Sequence, residues 1–436
     1  MPLFDVYPLY NVTPVSGKDM HVYDENCVEY LDLYGGHAVI SIGHSHPKYV
    51  EAVTNQVKTL GFYSNAIQNP LQVELANKIE ALSGCKGYEL FLCNSGAEAN
   101  ENALKLASFK TGKSRVVAFN NGFHGRTSAA VAATDNKSIV APINAQQQVT
   151  FLALNDMEGV KRELEKGDVC AVIVEFIQGV GGLDQGTAEF FEQVDKLCKA
   201  NNTYFIADEV QSGYGRSGKF FAFQYYNVKP EVISIAKGMG NGFPIGGILI
   251  HPSIEAKHGM LGTTFGGNHL ACAAGLAVLN TIEDEQLIAN VNEISDYFIS
   301  VAKTIPQIKN IKGKGLMIGL EFDFEVGDLR KKLIYEHRIF TGGASNKKLI
   351  RILPPLTIKK EHVDQFFKAL KEVLKIYENQ LLISKLHIIK LSELYMEMGG
   401  KSSKEIVDEI FKEISDIAPS ITKKSIIEII SENQNQ

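Results

Sequence analysis

Short apolar segments alternate with amphipathic segments along the middle of the chain, from about residue 89 to residue 250. The apolar runs predict buried strands at six places: Glu89 to Cys93, Arg115 to Phe119, Val169 to Phe176, Thr203 to Ala207, Val232 to Ile235 and Gly247 to Ile250. Between the first two, Ala99, Ala103, Leu106 and Ala107 fall on one stripe of Glu98 to Lys110, which predicts a helix. Strands that alternate with helices are typical of an α/β fold with a parallel sheet, and ligands bind such sheets where the strands end.

The pattern changes toward both ends of the chain. From about Thr281, helices with short strands predict a second, smaller domain, and we expect the N-terminal strand Glu29 to Leu33 to join it. After about Tyr377 the pattern predicts three more helices, with Gly399-Gly400, Ser402 and Ser403, and the Pro419 region as boundary signals: Leu381 to Met398, Ser402 to Ile417 and Ile421 to Ile430. We therefore predict an N-terminal segment of the small domain at 1–50, a large domain at 51–280, a small C-terminal domain at 281–376 and a helical extension at 377–436.

Composition and charge exclude several classes of protein. The 436 residues are 45% hydrophobic and 22% charged, as in an ordinary globular protein. The 44 basic and 50 acidic residues give a net charge of -6, which provides no basic surface for nucleic acid or for an anionic membrane. No apolar run approaches the roughly 18 residues that a membrane-spanning helix needs. We expect neither nucleic acid nor a membrane as a partner.

Cysteine and histidine usage favours neither disulfides nor a metal site. The six cysteines are scattered without a Cys-x-x-Cys pair, which is typical of reduced thiols and predicts a cytoplasmic protein. His44 and His46 have an H-x-H spacing, but no further ligand cluster accompanies them, so we interpret them as turn residues and expect no metal.

Two motifs after predicted strands suggest a site for an anionic, aromatic ligand. Asn94 to Asn100 opens a helix with small residues, and the N–H groups of a helix N-terminus favour a phosphate. In Phe123-His124-Gly125-Arg126, the aromatic face can stack on a flat ring and the arginine can hold a carboxylate. Read alone, the first is also compatible with a structural helix start, and the second with a turn that carries a surface arginine.

Two charged side chains follow apolar strands farther along the chain. Asp208 ends the run from Tyr204, and a carboxylate buried there needs a partner such as the protonated ring nitrogen of a cofactor. Lys237 ends the next run before two glycines, and a partly buried lysine has a lowered pKa, as Schiff-base chemistry requires. Although Asp208 could instead cap a turn, four such motifs in sequence, each at a strand end, favour one shared ligand pocket.

Several longer motifs resemble those of one family. The segments NSGAEANENALKLA, FHGRT, IADEVQSGYGRSGKFFA, AKGMGNGFP and TTFGGNHLA are similar to those of fold-type I, class III aminotransferases, closest to the acetylornithine and succinylornithine group. The resemblance covers about residues 1–376. It implies a large domain at 51–280 that binds pyridoxal 5′-phosphate on a mostly parallel seven-stranded sheet, a smaller α+β domain and, beyond it, the helical extension.

The resemblance implies roles for particular residues. The cofactor contacts are Lys237 as the Schiff-base lysine, Gly96 and Ala97 at the phosphate, Phe123 stacked on the ring, Asp208 at the ring nitrogen, Val210 beneath the ring, Gln211 at the ring hydroxyl, and Thr264 reaching the phosphate of the neighbouring subunit. Lys237 and Asp208 are the implied catalytic residues. Arg126, Thr263 and Arg351 are the implied substrate contacts, with Arg351 holding the α-carboxylate of the keto acid. Active sites shared between subunits imply a homodimer.

The implied reaction moves the terminal amino group of an N-acylornithine, acetylated or succinylated, to 2-oxoglutarate. It yields a semialdehyde and glutamate, as in arginine biosynthesis. The sequence departs from the family pattern at Val180, where relatives commonly have a glutamate that neutralises the arginine matched by Arg351. This change weighs against free ornithine as the donor. The alternatives are an ornithine or 4-aminobutyrate aminotransferase, an aminomutase or racemase, and a catalytically silent binding protein.

Overall fold

The structure is a computed structural model that describes residues 1–398, 402–414 and 423–434. Its strands are β1 (Pro14–Lys18), β2 (His21–Asp24), β3 (Glu29–Asp32), β4 (Glu89–Cys93), β5 (Arg115–Phe119), β6 (Val149–Leu152), β7 (Val169–Val174), β8 (Tyr204–Asp208), β9 (Val232–Ile235), β10 (Gly246–Ile250), β11 (Asn310–Lys314), β12 (Met317–Glu321), β13 (Ile339–Phe340) and β14 (Leu349–Ile352). Its helices are α1 (Gly35–Ala38), α2 (Pro47–Thr59), α3 (Pro70–Ser83), α4 (Gly96–Thr111), α5 (Ser128–Ala132), α6 (Met157–Leu164), α7 (Ala188–Ala200), α8 (His269–Asp284), α9 (Leu287–Ala302), α10 (Gly327–Tyr335), α11 (Lys360–Met398), α12 (Ser403–Ile414) and α13 (Lys423–Gln434).

The centre of the molecule is a seven-stranded sheet in the order β4-β10-β9-β8-β7-β5-β6. Strands β9, β8, β7, β5 and β6 run parallel, whereas β10 is antiparallel to both β9 and β4. The predicted α/β class with a mostly parallel sheet is confirmed. All six residues of β7 are buried, as expected of a central strand covered on both faces.

One strand of this sheet was missed. Strand β6 was not predicted, because its four residues, Val-Thr-Phe-Leu, are too few and too mixed to give a clear apolar run. The link between β8 and β9 carries only the short 3₁₀ turn Ala222–Tyr225. The adjacency and parallel direction of β8 and β9, on which the shared-pocket prediction depends, are confirmed.

Two small sheets join distant parts of the chain. In the sheet β1-β2-β3-β13, the N-terminal strand β3 pairs in parallel with β13, and β11-β12-β14 forms an antiparallel sheet beside them. The N-terminal segment therefore pairs with the region after Thr281, as expected. The domain boundaries predicted at residues 50, 280 and 376 each fall inside a helix, in α2, α8 and α11. The division into domains stays a prediction.

The helical extension has an apolar cluster of its own. Helices α11, α12 and α13 pack together through buried side chains that include Ile388, Ile406, Ile410 and Ile426. The predicted boundary signals Gly399-Gly400 and Pro419, and the ends placed at Ile417 and Ile421, lie outside the described residues. Among the residues that are described, no helix has the length and apolar character needed to cross a bilayer.

Candidate active site

A cavity of about 210 Å³ lies where the parallel strands of the large sheet end. Its walls come from the start of α4, the turn after β5, the segments after β7 and β8, and the turn that follows β9. Eight of the eleven residues predicted to bind the cofactor or the substrate line it, and the three that do not are Thr263, Thr264 and Arg351.

Asp208 is the last residue of β8, and its carboxylate is buried at the bottom of the cavity, with 4% of the residue exposed. Its Oδ2 accepts hydrogen bonds from Nδ2 of Asn100 at 2.8 Å and from Nδ1 of His124 at 2.7 Å. Its Oδ1 accepts from the backbone N–H of Val210 at 3.1 Å. These donors fix the carboxylate in one orientation, which a buried charge requires.

Lys237 enters the same cavity from the turn after β9. Its backbone has a φ of 46°, in the left-handed region that L-residues seldom occupy. The turn is held by the N-terminal segment: Ser41 donates to the carbonyl of Gly238 at 2.7 Å, and Oδ1 of Asn241 accepts from the N–H of Ser41 at 2.8 Å. Strain of this kind persists only where the surrounding structure enforces it, and it clusters at functional sites.

Burial lowers the pKa of the Lys237 amine to about 8, although the carboxylates of Asp208 and Glu175 act in the opposite direction. The positive charge of Arg351 lowers it further. An amine with such a pKa is partly neutral at physiological pH, and only the neutral form is a nucleophile. The predicted pairing of a reactive amine and a carboxylate in one cavity is therefore present.

The N-terminus of α4 forms another wall. Ser95 caps the helix by accepting from the N–H of Glu98 at 3.2 Å, so that Gly96 and Ala97 stand at the positive end of the helix dipole. A Cβ at Gly96 would lie 2.5 Å from Cγ1 of Val210. Because only glycine fits against Val210 here, the backbone N–H groups remain open to the cavity, where they can receive a phosphate.

The residues present fit pyridoxal phosphate. Gln211 is 8% exposed, and its buried Oε1 has no hydrogen-bond partner, which leaves an acceptor for a ring hydroxyl. Phe123 and Val210 offer apolar surfaces for a flat ring, and the Asp208 carboxylate suits a protonated ring nitrogen. The helix N-terminus at Gly96 suits a phosphate. The roles of these residues remain predictions.

Glu175 was not among the predicted site residues. It follows β7 directly, its Oε1 accepts from the N–H of Phe123 at 2.9 Å, and its Oε2 accepts from the N–H of Gly179 at 2.8 Å. Burial raises its pKa, with a smaller contribution of the same sign from Asp208. A carboxylate directly after a wholly apolar strand is the signal that identified Asp208, and the same signal was available here.

His124 was not among the predicted site residues, and the structure places it beside Asp208 with 3% of its surface exposed. Burial opposes its positive charge, but the hydrogen bond and the charge of Asp208, with the charge of Glu175, outweigh burial and raise its pKa. His124 therefore helps to hold the Asp208 carboxylate in its orientation.

The predicted substrate residues are only partly brought together. Arg126 is exposed and lines the cavity. Thr263 does not line it, and its Oγ1 accepts from the N–H of Gly266 at 3.1 Å. Thr264 is exposed and also lies outside the cavity of its own chain. The predicted contact of Thr264 with the phosphate of a neighbouring subunit stays a prediction.

Arg351 lies on β14 and is 3% exposed, so its guanidinium is buried. Its Nη1 donates to the carbonyl of Gly179 at 2.7 Å, and its Nε donates to the carbonyl of Gly343. Val180, next to Gly179, lines the cavity. Within the described ranges, the acceptors of this guanidinium are backbone carbonyls, and no carboxylate lies within 4.0 Å of it.

His44 and His46 each pair with a carboxylate. Nε2 of His44 lies 2.8 Å from Oδ2 of Asp32, and Nε2 of His46 lies 3.0 Å from Oε1 of Glu285. Both side chains thus contribute to the packing of the N-terminal segment, as expected of residues in a turn.

Comparison with known sequences matches most of the chain. The family described as aminotransferase class-III matches residues 6–374. The acetylornithine aminotransferase of Caldanaerobacter subterraneus subsp. tengcongensis is 39% identical over 387 residues, which cover 85% of this chain and 97% of the relative. That of Aquifex aeolicus is 38% identical over 380 residues, with 85% and 99% covered.

Comparison with solved structures shows that aminotransferases have a similar fold. The ornithine aminotransferase from Toxoplasma gondii ME49 superposes with a TM-score of 0.79 at 28% identity, covering 85% of this chain and 92% of that one. An S-selective transaminase from Arthrobacter sp. also has a TM-score of 0.79, at 22% identity, with 87% and 96% covered, and supports the fold alone.

Proposed function

This chain belongs to the class-III aminotransferase family, and from that premise we propose that it moves the terminal amino group of an N-acylornithine to 2-oxoglutarate. The enzyme uses pyridoxal phosphate, an amino donor and a keto acid. The observation that carries the proposal is the convergence of the Lys237 amine and the Asp208 carboxylate on one cavity from adjoining strands. The relatives named as acetylornithine aminotransferases, at 38–39% identity, support the donor class.

We assign most of the cofactor contacts to residues of the cavity. Lys237 would bond the cofactor, Asp208 would hold the ring nitrogen protonated, Gln211 would accept from the ring hydroxyl, and Gly96 and Ala97 would bind the phosphate. When bound, pyridoxal phosphate supplies an electron-withdrawing ring and a carbonyl that accepts the amino group.

The protein's own residues supply position and proton transfer. With the cofactor and the donor bound, the Nζ amine of Lys237 would take the proton from the substrate carbon that bears the amino group, and the resulting ammonium would give that proton back. Arg126 binds a carboxylate of the substrate, and Arg351 binds the α-carboxylate of the keto acid. Phe123 and Val210 keep water away from the two faces of the ring.

The titration of Lys237 makes one prediction about cofactor capture. The rate constant with which the apoprotein takes up pyridoxal phosphate is expected to rise with pH through about 8, because the neutral amine is the nucleophile. Stopped-flow absorbance after mixing measures this rate. In Asp208→Asn the midpoint is expected to fall, because the Asp208 charge raises the Lys237 pKa. A rate that does not change with pH across this range would contradict the assignment of Lys237.

A substrate panel tests the donor. With 2-oxoglutarate as acceptor, kcat/KM for acetylornithine or succinylornithine is expected to exceed that for free ornithine by at least about tenfold, because Val180 cannot neutralise Arg351. The Val180→Glu variant should narrow this gap, and the conservative Val180→Ile variant should not. The same panel contains 4-aminobutyrate. A wild-type preference for free ornithine or 4-aminobutyrate would overturn the N-acylornithine assignment.

A homodimer with shared active sites is supported by the surface around Thr264. Phe62 and Phe265 are 43% and 60% exposed and lie 5.5 Å apart between ring centroids, and Tyr63 and Ile67 are exposed nearby in the sequence. An apolar surface of this kind is typical of an interface. We infer that it is covered by a second copy, whose cavity receives Thr264. The molecular mass in solution, measured by sedimentation, tests this inference.

The domain division and the compartment belong to the same proposal. We assign cofactor binding to residues 51–280. Ser41 from 1–50 bonds the turn that carries Lys237, and Arg351 from 281–376 lies beside the cavity. We assign no part in catalysis to the extension predicted at 377–436. All six cysteines are free thiols, which supports a reducing compartment such as the cytoplasm.

A further inference from the structure

Arg351 carries a buried charge beside the cavity, and among the described residues no carboxylate pairs with it directly, although the charge of Glu175 acts on it from farther away. Its Nη1 and Nε bond two backbone carbonyls, and Val180 stands where a carboxylate could have paired with it. The acceptor requires this cation for its carboxylate, whereas an uncharged part of the amino donor has no use for it. A guanidinium left open would favour any dicarboxylate over the donor.

An aromatic ring covers this cation instead. The guanidinium carbon of Arg351 lies 5.9 Å from the ring centroid of Tyr34, within cation–π distance. Gly342 makes the approach possible, because a Cβ there would lie 2.5 Å from Cε2 of Tyr34 and 3.1 Å from Cβ of Arg351. Gly342 also exchanges both backbone hydrogen bonds with Arg351, at 2.8 Å each. The Tyr34 ring therefore packs against the paired backbone of Gly342 and Arg351, beside the guanidinium.

Tyr34 is tethered from an unusual turn. Gly35, Gly36, His37 and Ala38 have φ values of 55°, 55°, 69° and 62°, a left-handed turn that includes two residues with a Cβ. The hydroxyl of Tyr34 lies 2.5 Å from Nδ1 of His37. Burial of the imidazole, with the charges of Arg351 and Lys237, lowers the pKa of His37. A neutral imidazole can accept the hydrogen bond that the phenol donates.

One end of this turn is fixed and the other is open. Oδ1 of Asp32 accepts from the N–H groups of Tyr34 and Gly35, at 2.9 and 2.8 Å. Gly36 and His37 are exposed, and a Cβ at Gly36 would meet nothing within 4 Å. The turn is thus anchored where it begins, with free space around its exposed residues. The Tyr34 ring is half-buried and packs against the edge of the apolar core, and its polar contacts are the cation–π contact and the hydrogen bond to His37. A carboxylate binds arginine more strongly than a ring does, so it can displace a half-buried ring of this kind.

We propose that Tyr34, tethered by His37, is a displaceable cover for Arg351 that sets the choice between donor and acceptor. The ring covers the guanidinium while the donor occupies the cavity and gives way when the keto acid presents its carboxylate. Tyr34 thereby shields the charge of Arg351 with an uncharged ring, whereas a carboxylate at position 180 would neutralise that charge by pairing with it. This inference rests on the proposed function for its two substrates, but the contact itself can be tested without turnover.

Binding to the holoenzyme separates the cover from catalysis. Calorimetry compares the binding of glutarate, which has two carboxylates, with that of pentanoate, which has the same chain length and one carboxylate. The difference between the two affinities reports the cost of displacing the Tyr34 ring from Arg351. Tyr34→Ala is expected to tighten glutarate by about tenfold and to leave pentanoate nearly unchanged, because the ring no longer has to be displaced. Tyr34→Phe keeps the ring but loses the hydroxyl that bonds His37, so it should tighten glutarate by less than Tyr34→Ala does. His37→Gly suits the backbone at this position, breaks only the tether, and should tighten glutarate by less than Tyr34→Ala does.

Kinetics and a matched control complete the test. In Tyr34→Ala, kcat/KM for glutamate relative to N-acylornithine as donor is expected to rise by about tenfold. Tyr297→Ala is the matched control, because it removes a ring that makes a similar contact with Lys360, at 5.7 Å, and does not line the cavity. It should change neither the affinity for glutarate nor the preference between the two donors. Cofactor absorbance and thermal unfolding verify that the variants are folded. Unchanged or weaker glutarate binding in Tyr34→Ala would overturn the cover. A wild type inactive on N-acylornithines would overturn the proposed donor, and the glutarate result would still decide on Tyr34.

Discussion

Lys237→Ala is expected to lower kcat/KM for transamination by at least about a thousandfold, because it removes both the nucleophile that bonds the cofactor and the base that moves the proton. Steady-state kinetics with the preferred donor measure the loss. Alanine and lysine both carry a Cβ, so the strain at a φ of 46° is the same in both proteins. The loss should therefore be chemical, with little change in the free energy of unfolding.

A second readout distinguishes lost chemistry from a damaged site. After borohydride reduction and denaturation, the wild type is expected to retain the cofactor covalently, and Lys237→Ala to release it. Lys229→Ala is the matched control, since Lys229 is exposed and does not line the cavity. If Lys237→Ala kept covalent cofactor, another amine would have to be the attachment point, and the central assignment would be wrong.

Asp208→Asn is expected to lower kcat/KM by about a hundredfold to a thousandfold, because the carboxylate that keeps the ring nitrogen charged is replaced by a neutral amide of the same shape. Pyridoxal phosphate should also bind more weakly, as titration of the apoprotein would measure. Asp195→Asn is the matched control: Asp195 is a buried aspartate on α7, and its Oδ2 lies 2.6 Å from the Lys199 amine, outside the cavity. Equal losses in the two variants would point to general destabilisation and contradict the role of Asp208.

The pH dependence of stability gives Asp208→Asn a signature of its own. Asp208 raises the pKa of His124 in the folded protein, so the pair stabilises the fold fully below the unfolded pKa of about 6.5. That contribution is lost as the pH rises through the raised pKa of His124. Urea unfolding of both apoproteins should therefore show a difference in free energy that shrinks as the pH increases through this window. A difference that grows with pH would mean that the pair is not held by charge.

The sequence was sufficient to single out the two charged residues for which cofactor binding is proposed. Asp208 and Lys237 stood out because a charged side chain at the end of an apolar strand is costly unless it has a function or a partner. The same reasoning applies to Glu175, which was missed because no motif drew attention to it. Its carboxylate accepts from the backbone N–H groups of Phe123 and Gly179. Strand β6 was missed because four mixed residues give almost no periodic signal, and it becomes a strand through its pairing with β5.

The chain's local pattern determined the alternation of strands and helices, the parallel character of the sheet, and the strand ends at which the chemistry lies, because periodicity and turn residues act over a few positions. Only the tertiary structure decided what surrounds Arg351. Gly179, whose carbonyl bonds Arg351, is 172 positions from it in the sequence, and Tyr34 is farther away still. Whether a cation is paired, buried or covered depends on which distant segments pack against it, and the spacing of residues along one chain carries no measure of that.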